Sequence, residues 1–143
     1  MKLFIALFAL VASSVSFACT NFSGTYHNTD GTTFQIGQID CEYVNVAQTD
    51  LNLAIKTDGV LHQVAAQDII VEGQVVGKVV VSAIAQFGAT ELFLNIDFKV
   101  ESQGQSQTYN TKSTNTLNAN GDLVSVATFQ DGHTETTISN RVR

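Results

Sequence analysis

Apolar and polar residues alternate along Glu91–Glu101 in the way that a β-strand with two different faces requires. The apolar positions recur at every second residue, and Phe93 is the one that breaks the pattern; they are Leu92, Leu94, Ile96, Phe98 and Val100. Successive side chains of a strand point to opposite sides, so this spacing places all five on one side. The segment therefore predicts a strand with one buried and one solvent-facing side.

Turn dipeptides of the hairpin kind divide the rest of the chain into short segments of similar character. They are Asp30-Gly31, Asp58-Gly59, Glu72-Gly73, Asn120-Gly121 and Asp131-Gly132. Such dipeptides favour tight antiparallel hairpins, and no gap between segments is long enough for a parallel crossover. We therefore predict an all-β, antiparallel up-and-down meander of about 8–10 strands that closes into a small barrel. Only Leu61–Ile70 leaves room for a short helix, because Ala65, Ala66 and Gln67 weaken the strand pattern there.

The N-terminus has the pattern of a secretory signal peptide over residues 1–18. Lys2 precedes an apolar stretch from Leu3 to Val11, and small residues occupy positions 16 and 18. The apolar stretch is too short to cross a bilayer and polar residues follow it, so we expect cleavage rather than a retained membrane anchor. Residues 19–143 then form a single domain, secreted or periplasmic.

Composition narrows the classes of partner. The chain has a net charge of −6, and no run of like charges occurs in it. Nucleic acids and anionic membrane surfaces attract basic patches, so neither is an expected partner. No protein partner is identifiable from the sequence.

Both cysteines lie near the start of the predicted mature chain, at Cys19 and Cys41. In an exported protein, two cysteines most simply form one disulfide. Alternate strands of a sheet lie roughly 10 Å apart, beyond disulfide reach. Cys19 must therefore belong to a leading segment that crosses under the first hairpin. Lipid attachment to Cys19 is the disfavoured alternative, because lipoprotein signals normally have a leucine three residues before the modified cysteine and this chain has Ser16 there.

Sequence motifs of catalysis and metal binding are absent. The sequence contains no G-x-S-x-G, H-E-x-x-H, C-x-x-C or glycine-rich phosphate loop. Its three histidines, His27, His62 and His133, have dissimilar surroundings, and His27 with His133 is the pair that a closed barrel would bring closest. We expect no enzymatic activity, no cofactor and no metal.

The stretch from Ser102 to Asn120 is conspicuously polar, with Tyr109 as its only large ring. The favoured interpretation is a strand with a lightly packed inward face followed by a loop. The alternative is a functional rim or an edge strand.

Three segments resemble known families. Phe22-Ser23-Gly24-Thr25-Tyr26 is similar to the Gly-x-Trp opening of lipocalins and related calycin barrels, with Tyr26 in the tryptophan position. Gly121–Val142 resembles the closing hairpin and terminal arginine-bearing strand of fatty-acid-binding proteins. Residues 19–41 also resemble small exported bacterial proteins of undefined function. The resemblance implies a lipocalin-like barrel without an assigned activity.

An eight-stranded barrel either fills its interior with its own side chains or holds one small ligand. The apolar strand positions predict an apolar interior, and we expect a small hydrophobic ligand there. The alternative function is a filled barrel that acts as a non-enzymatic interaction or structural module; an outer-membrane barrel is a weaker third choice. The predicted ligand-binding residues are Phe22, Tyr26, Phe34, Ile36, Leu53, Ile55, Leu94, Ile96 and Phe98.

Overall fold

A computed structural model describes residues 18–143 of the protein, and ten β-strands account for all of the regular structure in that part of the chain. The predicted signal peptide lies outside the described residues except for Ala18. The strands are β1 (Gly24–His27), β2 (Thr33–Ile39), β3 (Tyr43–Gln48), β4 (Leu51–Lys56), β5 (His62–Val71), β6 (Gln74–Phe87), β7 (Leu92–Ser102), β8 (Gln105–Leu117), β9 (Leu123–Phe129) and β10 (Thr134–Arg141).

The strands form one antiparallel sheet in the order β4-β3-β2-β1-β10-β9-β8-β7-β6-β5. Every strand pairs with its neighbours in sequence except β4 and β5, and the first and last strands pair with each other through Tyr26 with Arg141 and His27 with Asn140. This is the predicted meander, curled into a nearly closed barrel. The remaining gap lies between β4 and β5, where a bridge from Asp58 to Gln86 links the connecting segment to β6.

The meander places alternate turns at opposite ends of the barrel. We call the end that holds the disulfide and both chain termini of the domain the closed end; it includes the β2–β3, β4–β5, β6–β7 and β8–β9 turns. The other end, with the five remaining turns, is the open end. Strand β8 reaches past β9 there, because β9 pairs only with residues 111–117 of β8. Residues 105–110 of β8 pair with β7 alone.

The helical alternative for Leu61–Ile70 is wrong, since this segment forms β5. Its pairing with β6 shifts register between Gln63 and Ala65, so Val64 is an extra residue in the strand. A bulge turns the side chains on either side out of strict alternation. This explains why the alternation of apolar and polar residues is weak in this part of the sequence.

Two apolar clusters fill the closed half of the barrel. The first contains Phe22, Tyr26, Ile36, Val44, Leu92 and Leu123, and the second contains Leu53, Ile55, Val81, Ala83 and Ala85. Leu94 packs against both clusters. Strand β7 follows the predicted alternation, because its even-numbered apolar residues pack inward while Phe93 is exposed on the outer side. Within residues 18–143, no helix has the length and apolar character needed to span a membrane.

Candidate functional site

The disulfide between Cys19 and Cys41 fastens the leading segment to the β2–β3 turn, with Cα atoms 5.7 Å apart. Gln38, at the end of β2, holds this segment from the other side. Its Nε2 donates to the carbonyl oxygens of Thr20 at 3.2 Å and Asp40 at 2.9 Å, and its Oε1 accepts from the backbone N–H of Phe22 at 3.0 Å. The predicted disulfide is thus present, and Cys19 lies in a segment outside the sheet, as the spacing of strands requires.

Phe22 is the apolar plug of the closed end. Its side chain is fully buried, and its ring stacks on that of Phe87 with centroids 6.2 Å apart. The hydroxyl of the buried Tyr26 donates to the Phe22 carbonyl at 2.7 Å. Burial raises the pKa of Tyr26, and the nearby Arg141 guanidinium opposes that shift. The plug therefore rests on a neutral, hydrogen-bonded tyrosine.

Arg141 secures the same end from the last strand. Its guanidinium carbon lies 6.0 Å from the ring centroid of Tyr26, and its Nη2 donates to the carbonyl oxygen of Ser23. Its backbone N–H donates to the Asp122 carboxylate at 3.0 Å. Gly24 leaves the space that the guanidinium occupies, because a Cβ at that position would lie 2.7 Å from Arg141 Nε.

The inward faces of β6 and β7 remain apolar as they run from the packed clusters toward the open end, whereas the flanking strands contribute Gln67 opposite Val79 and Gln107 opposite Val100. Residues opposite one another on neighbouring antiparallel strands point to the same side of the sheet. Val81 is opposite Phe98, and Val79 is opposite Val100, so the apolar surface continues over two further rows. The side chains of these rows are less covered than the core, because Val79, Phe98 and Val100 are only half-buried. Leu51 of β4, on the same face as the buried Leu53, is 39% exposed.

Tyr109 lies on the same inward row as Phe98 and is 49% exposed. A large ring on the inward face of a barrel strand is normally covered by the opposite wall. Here the opposite strands β1–β4 are at most seven residues long, whereas β8 has thirteen. The inward face near the open end is therefore an uncovered apolar surface bordered by a tyrosine.

Two mostly polar rows lie on the inward face of β8–β10, and we call them the polar wall; the rows on either side hold Leu117 with Leu123 and Thr111 with Phe129. The register places Ser113 opposite Leu94, and the same row continues through Ala127 to Glu135. The next row toward the closed end runs from Leu92 through polar residues only: Asn115, Ser125 and Thr137. The deepest of these groups are satisfied, since Asn115 Nδ2 donates to the Leu92 carbonyl at 3.0 Å and Ser139 Oγ donates to Asn28 Oδ1 at 2.6 Å.

The predicted ligand-binding residues lie on the inward face of the sheet, apart from Phe22, which enters the interior from the leading segment, and they show two levels of burial. Phe22, Tyr26, Ile36, Leu53 and Ile55 are buried in the two core clusters, whereas the half-buried residues packed against those clusters are Phe34, Leu94, Ile96 and Phe98. The first group forms the core; in the second group Phe98 belongs to the uncovered surface, and the other three residues pack beside the clusters.

A strand with a lightly packed inward face was expected within Ser102–Asn120, and β8 is that strand, Gln105–Leu117. The predicted ligand-binding positions were selected by hydrophobicity, so they included neither Tyr109 nor the polar wall. The signal was nevertheless present. If the two segments on either side of the Gln103-Gly104 turn are paired as a hairpin, Tyr109, Ser113 and Asn115 fall opposite apolar residues of β7.

Each histidine has its own local partners. His27 Nδ1 contacts Thr33 Oγ1 at 2.7 Å, and His62 Nε2 lies 3.0 Å from both carboxylate oxygens of Asp58. His133 lies between Asp131, at 2.6 Å from Nδ1, and Glu135, at 3.3 Å from Nε2. Across residues 18–143, no group of three or more histidine, cysteine, aspartate or glutamate side chains is arranged to hold a metal ion.

A groove lies on the outer face of the barrel. It has a volume of about 350 Å³ and includes Ile84, Phe93, Lys112 and Val126. Its apolar side chains are interrupted by threonines on β8 and β9. It is the natural comparison site for any ligand assigned to the interior.

No protein-family model matches this sequence, and no curated protein matches it significantly. The similarity to calycin barrels thus remains a prediction from residues 22–26 and the terminal strand. Function is inferred from the geometry of this chain.

Proposed function

We propose that the protein is a non-enzymatic binding protein that holds a small hydrophobic or amphipathic molecule at the open end of its barrel. The observation that carries this proposal is the uncovered apolar surface formed by Val79, Phe98 and Val100 with Tyr109 at its border. Exposing such a surface costs roughly 25 cal/mol for each Å² of apolar area, so a ligand that covers it gains a comparable driving force.

The closed end supports the same function by providing a rigid base. The disulfide, the Phe22 plug and the Arg141 contacts join the leading segment, β2 and the last strand. Binding sites gain affinity when the residues that form them are held in place before the ligand arrives. Val79 and Phe98 of the site pack against the second apolar cluster, and Leu94 contacts both that cluster and the one that contains Phe22.

A disulfide is compatible with the oxidising compartments outside the cytosol. We propose export to such a compartment, with cleavage after Ala18. A carrier located there would meet its ligand outside the cytosol.

Dye binding by matched tyrosine variants tests the proposal. Tyr109→Ser removes an exposed ring from the inward surface, whereas Tyr43→Ser removes a ring of 41% exposure from the outer side of β3. We expect Nile red, a neutral apolar dye, to bind the parent and the Tyr43→Ser variant equally and the Tyr109→Ser variant at least about fivefold more weakly. Equal binding by all three proteins would contradict the site.

A protein-interaction module is the second candidate function, and the tip of the β5–β6 hairpin favours it. Ile70 and Val75 are each 63% exposed and lie opposite one another, and the adjacent Val71 is 53% exposed. Strand β5 also ends the sheet on its side, and a strand edge can pair with another extended chain. A partner that binds the parent and the Tyr109→Ser variant but not an Ile70→Ser/Val75→Ser variant would favour this function over the first.

The outward side chains of β7 give no support to an outer-membrane barrel. Asn95, Asp97, Lys99 and Glu101 lie on that side, and the last two form an ion pair. Charged residues facing lipid near the bilayer centre are strongly destabilising. We therefore do not propose a membrane-spanning role.

A further inference from the structure

The open end of the barrel is acidic. Four of its five turns contain a carboxylate, and none contains a lysine or arginine; the carboxylates are Asp30, Asp50, Glu72 and Asp131. The fifth turn, Gln103-Gly104, is uncharged. Any molecule that enters the barrel from this end must pass this rim.

The lysines and arginines lie elsewhere. Along the described chain, Lys56, Lys78, Lys99 and Lys112 are all on the outer face, since each is next to inward-facing residues in its strand. Arg141 is engaged by Tyr26 and Ser23 at the closed end, and Arg143 donates to the Asn120 carbonyl there. Within residues 18–143, no lysine or arginine therefore lies on the inward surface near the open end, where it could pair with an anionic group of a ligand.

One carboxylate lies on the inward face itself. Glu135 occupies the polar wall, on the row that begins at Leu94, and its side chain is 62% exposed. His133 is a basic neighbour, but its shorter contact is with Asp131, at 2.6 Å against 3.3 Å for Glu135. Two carboxylates thus share one imidazole, and this group stays net negative even when His133 is protonated.

From this distribution we infer that the ligand is an amphiphile with a cationic head group, such as an alkylammonium, and that Glu135 and the acidic rim select its charge. The inference rests on the proposed binding function and specifies its ligand class. The apolar chain lies against β6 and β7, and the head group lies toward β10 and the rim. Carboxylate amphiphiles such as fatty acids are disfavoured, because they would bring a second negative charge to Glu135 without a basic partner.

Three amphiphiles with the same chain and different head groups test this inference. Dodecylammonium, 1-dodecanol and dodecanoate are compared below their aggregation concentrations at pH 7.5, by displacement of Nile red from the predicted mature chain, residues 19–143. We expect dodecylammonium to bind at least about tenfold more tightly than dodecanoate, with the neutral alcohol between them. The preference should weaken at high salt, because the site is partly open to solvent.

A matched pair of variants assigns the charge selection to Glu135. Glu135→Gln should reduce the ratio of dodecylammonium to dodecanoate affinity by about threefold or more, whereas Glu42→Gln, which removes an exposed charge at the closed end, should leave it unchanged. If neither variant changes the ratio, Glu135 does not select the ligand. If dodecanoate binds as tightly as dodecylammonium, the cationic ligand class is wrong while the binding function stands. If none of the three displaces the dye, the proposed function itself fails.

Discussion

Arg141 and Tyr26 lie opposite one another on the paired last and first strands, with the guanidinium carbon 6.0 Å from the ring centroid. The contact lies within the pairing of β1 with β10, which joins the two terminal strands beside the His27–Asn140 pair. A cation over an aromatic face contributes about 0.5–2 kcal/mol, depending on how far it is desolvated. Here the ring is fully buried, and the guanidinium also donates to the Ser23 carbonyl.

Replacing Arg141 with alanine should destabilise the domain by about 2 kcal/mol, because it removes the contact with Tyr26 and leaves the Ser23 carbonyl without this donor. Arg141→Lys should recover only part of the loss, since the lysine ammonium lacks the planar guanidinium group that can contact the ring and donate hydrogen bonds at the same time. Urea unfolding measures both changes. An Arg141→Ala variant as stable as the parent would show that this contact does not hold the terminal strands.

Gly24→Ala should destabilise the domain by about 1–3 kcal/mol, since its Cβ would lie 2.7 Å from Arg141 Nε. Gly37→Ala is the control, because its Cβ would meet only Asn45 Cβ, at 3.8 Å. Thermal unfolding should show a lower Tm for the first variant and little change for the second. In an Arg141→Ala background, the cost of Gly24→Ala should shrink; an unchanged cost would exclude a clash with the guanidinium.

Replacing both cysteines with serine should cost about 3 kcal/mol in the chain-entropy model for a loop that joins residues 22 positions apart. The variant should remain folded, because the Gln38 bonds and the Phe22 plug persist without the disulfide. Chemical unfolding of the parent under oxidising and reducing conditions should give the same difference. Equal stability under both conditions would refute a stapling role.

Protonation of His133 should depend on Asp131. The hydrogen bond to Asp131 raises the pKa of His133 above its usual 6.5, with a further contribution from Glu135. The hydrogen bond to His133 lowers the pKa of Asp131 below its usual 3.8. The pair is fully formed between these two shifted values; it weakens as pH rises through the His133 pKa or falls through the Asp131 pKa.

NMR titration of the His133 ring checks this dependence. Asp131→Asn should lower the His133 pKa toward its usual value, and Glu135→Gln should lower it less. Mutation of Asp58, the partner of His62, is the control and should leave His133 unchanged. A His133 pKa that does not respond to Asp131→Asn would contradict the contact.

Much of the fold is readable from the sequence because alternation and turn dipeptides act locally. The strand predicted from the alternation over Glu91–Glu101 is observed as β7, Leu92–Ser102. The segment Leu61–Ile70 was harder to interpret, since the bulge at Val64 interrupts its period. The sequence predicted the disulfide. The hydrogen bonds of Gln38 were not predictable, because they depend on the position of the leading segment relative to β2.

The site was less predictable than the fold. Hydrophobicity identifies the core residues Leu53 and Ile55, but whether an inward residue is covered depends on the relative lengths of distant strands. Tyr109 is exposed because β1–β4 are short, and no residue near Tyr109 in sequence encodes that. Glu135 faces inward because its pairing with Ala127 fixes the register of the last hairpin.

Amide chemical-shift mapping with 1-decanol tests the central claim most directly, because a neutral ligand separates the location of the site from its charge preference. The largest shifts should fall on Val79, Val100 and Tyr109 near the open end, with small changes at Phe93 and Val126 in the outer groove. Shifts concentrated in the outer groove, or none at saturating ligand, would contradict a binding site inside the open end of the barrel.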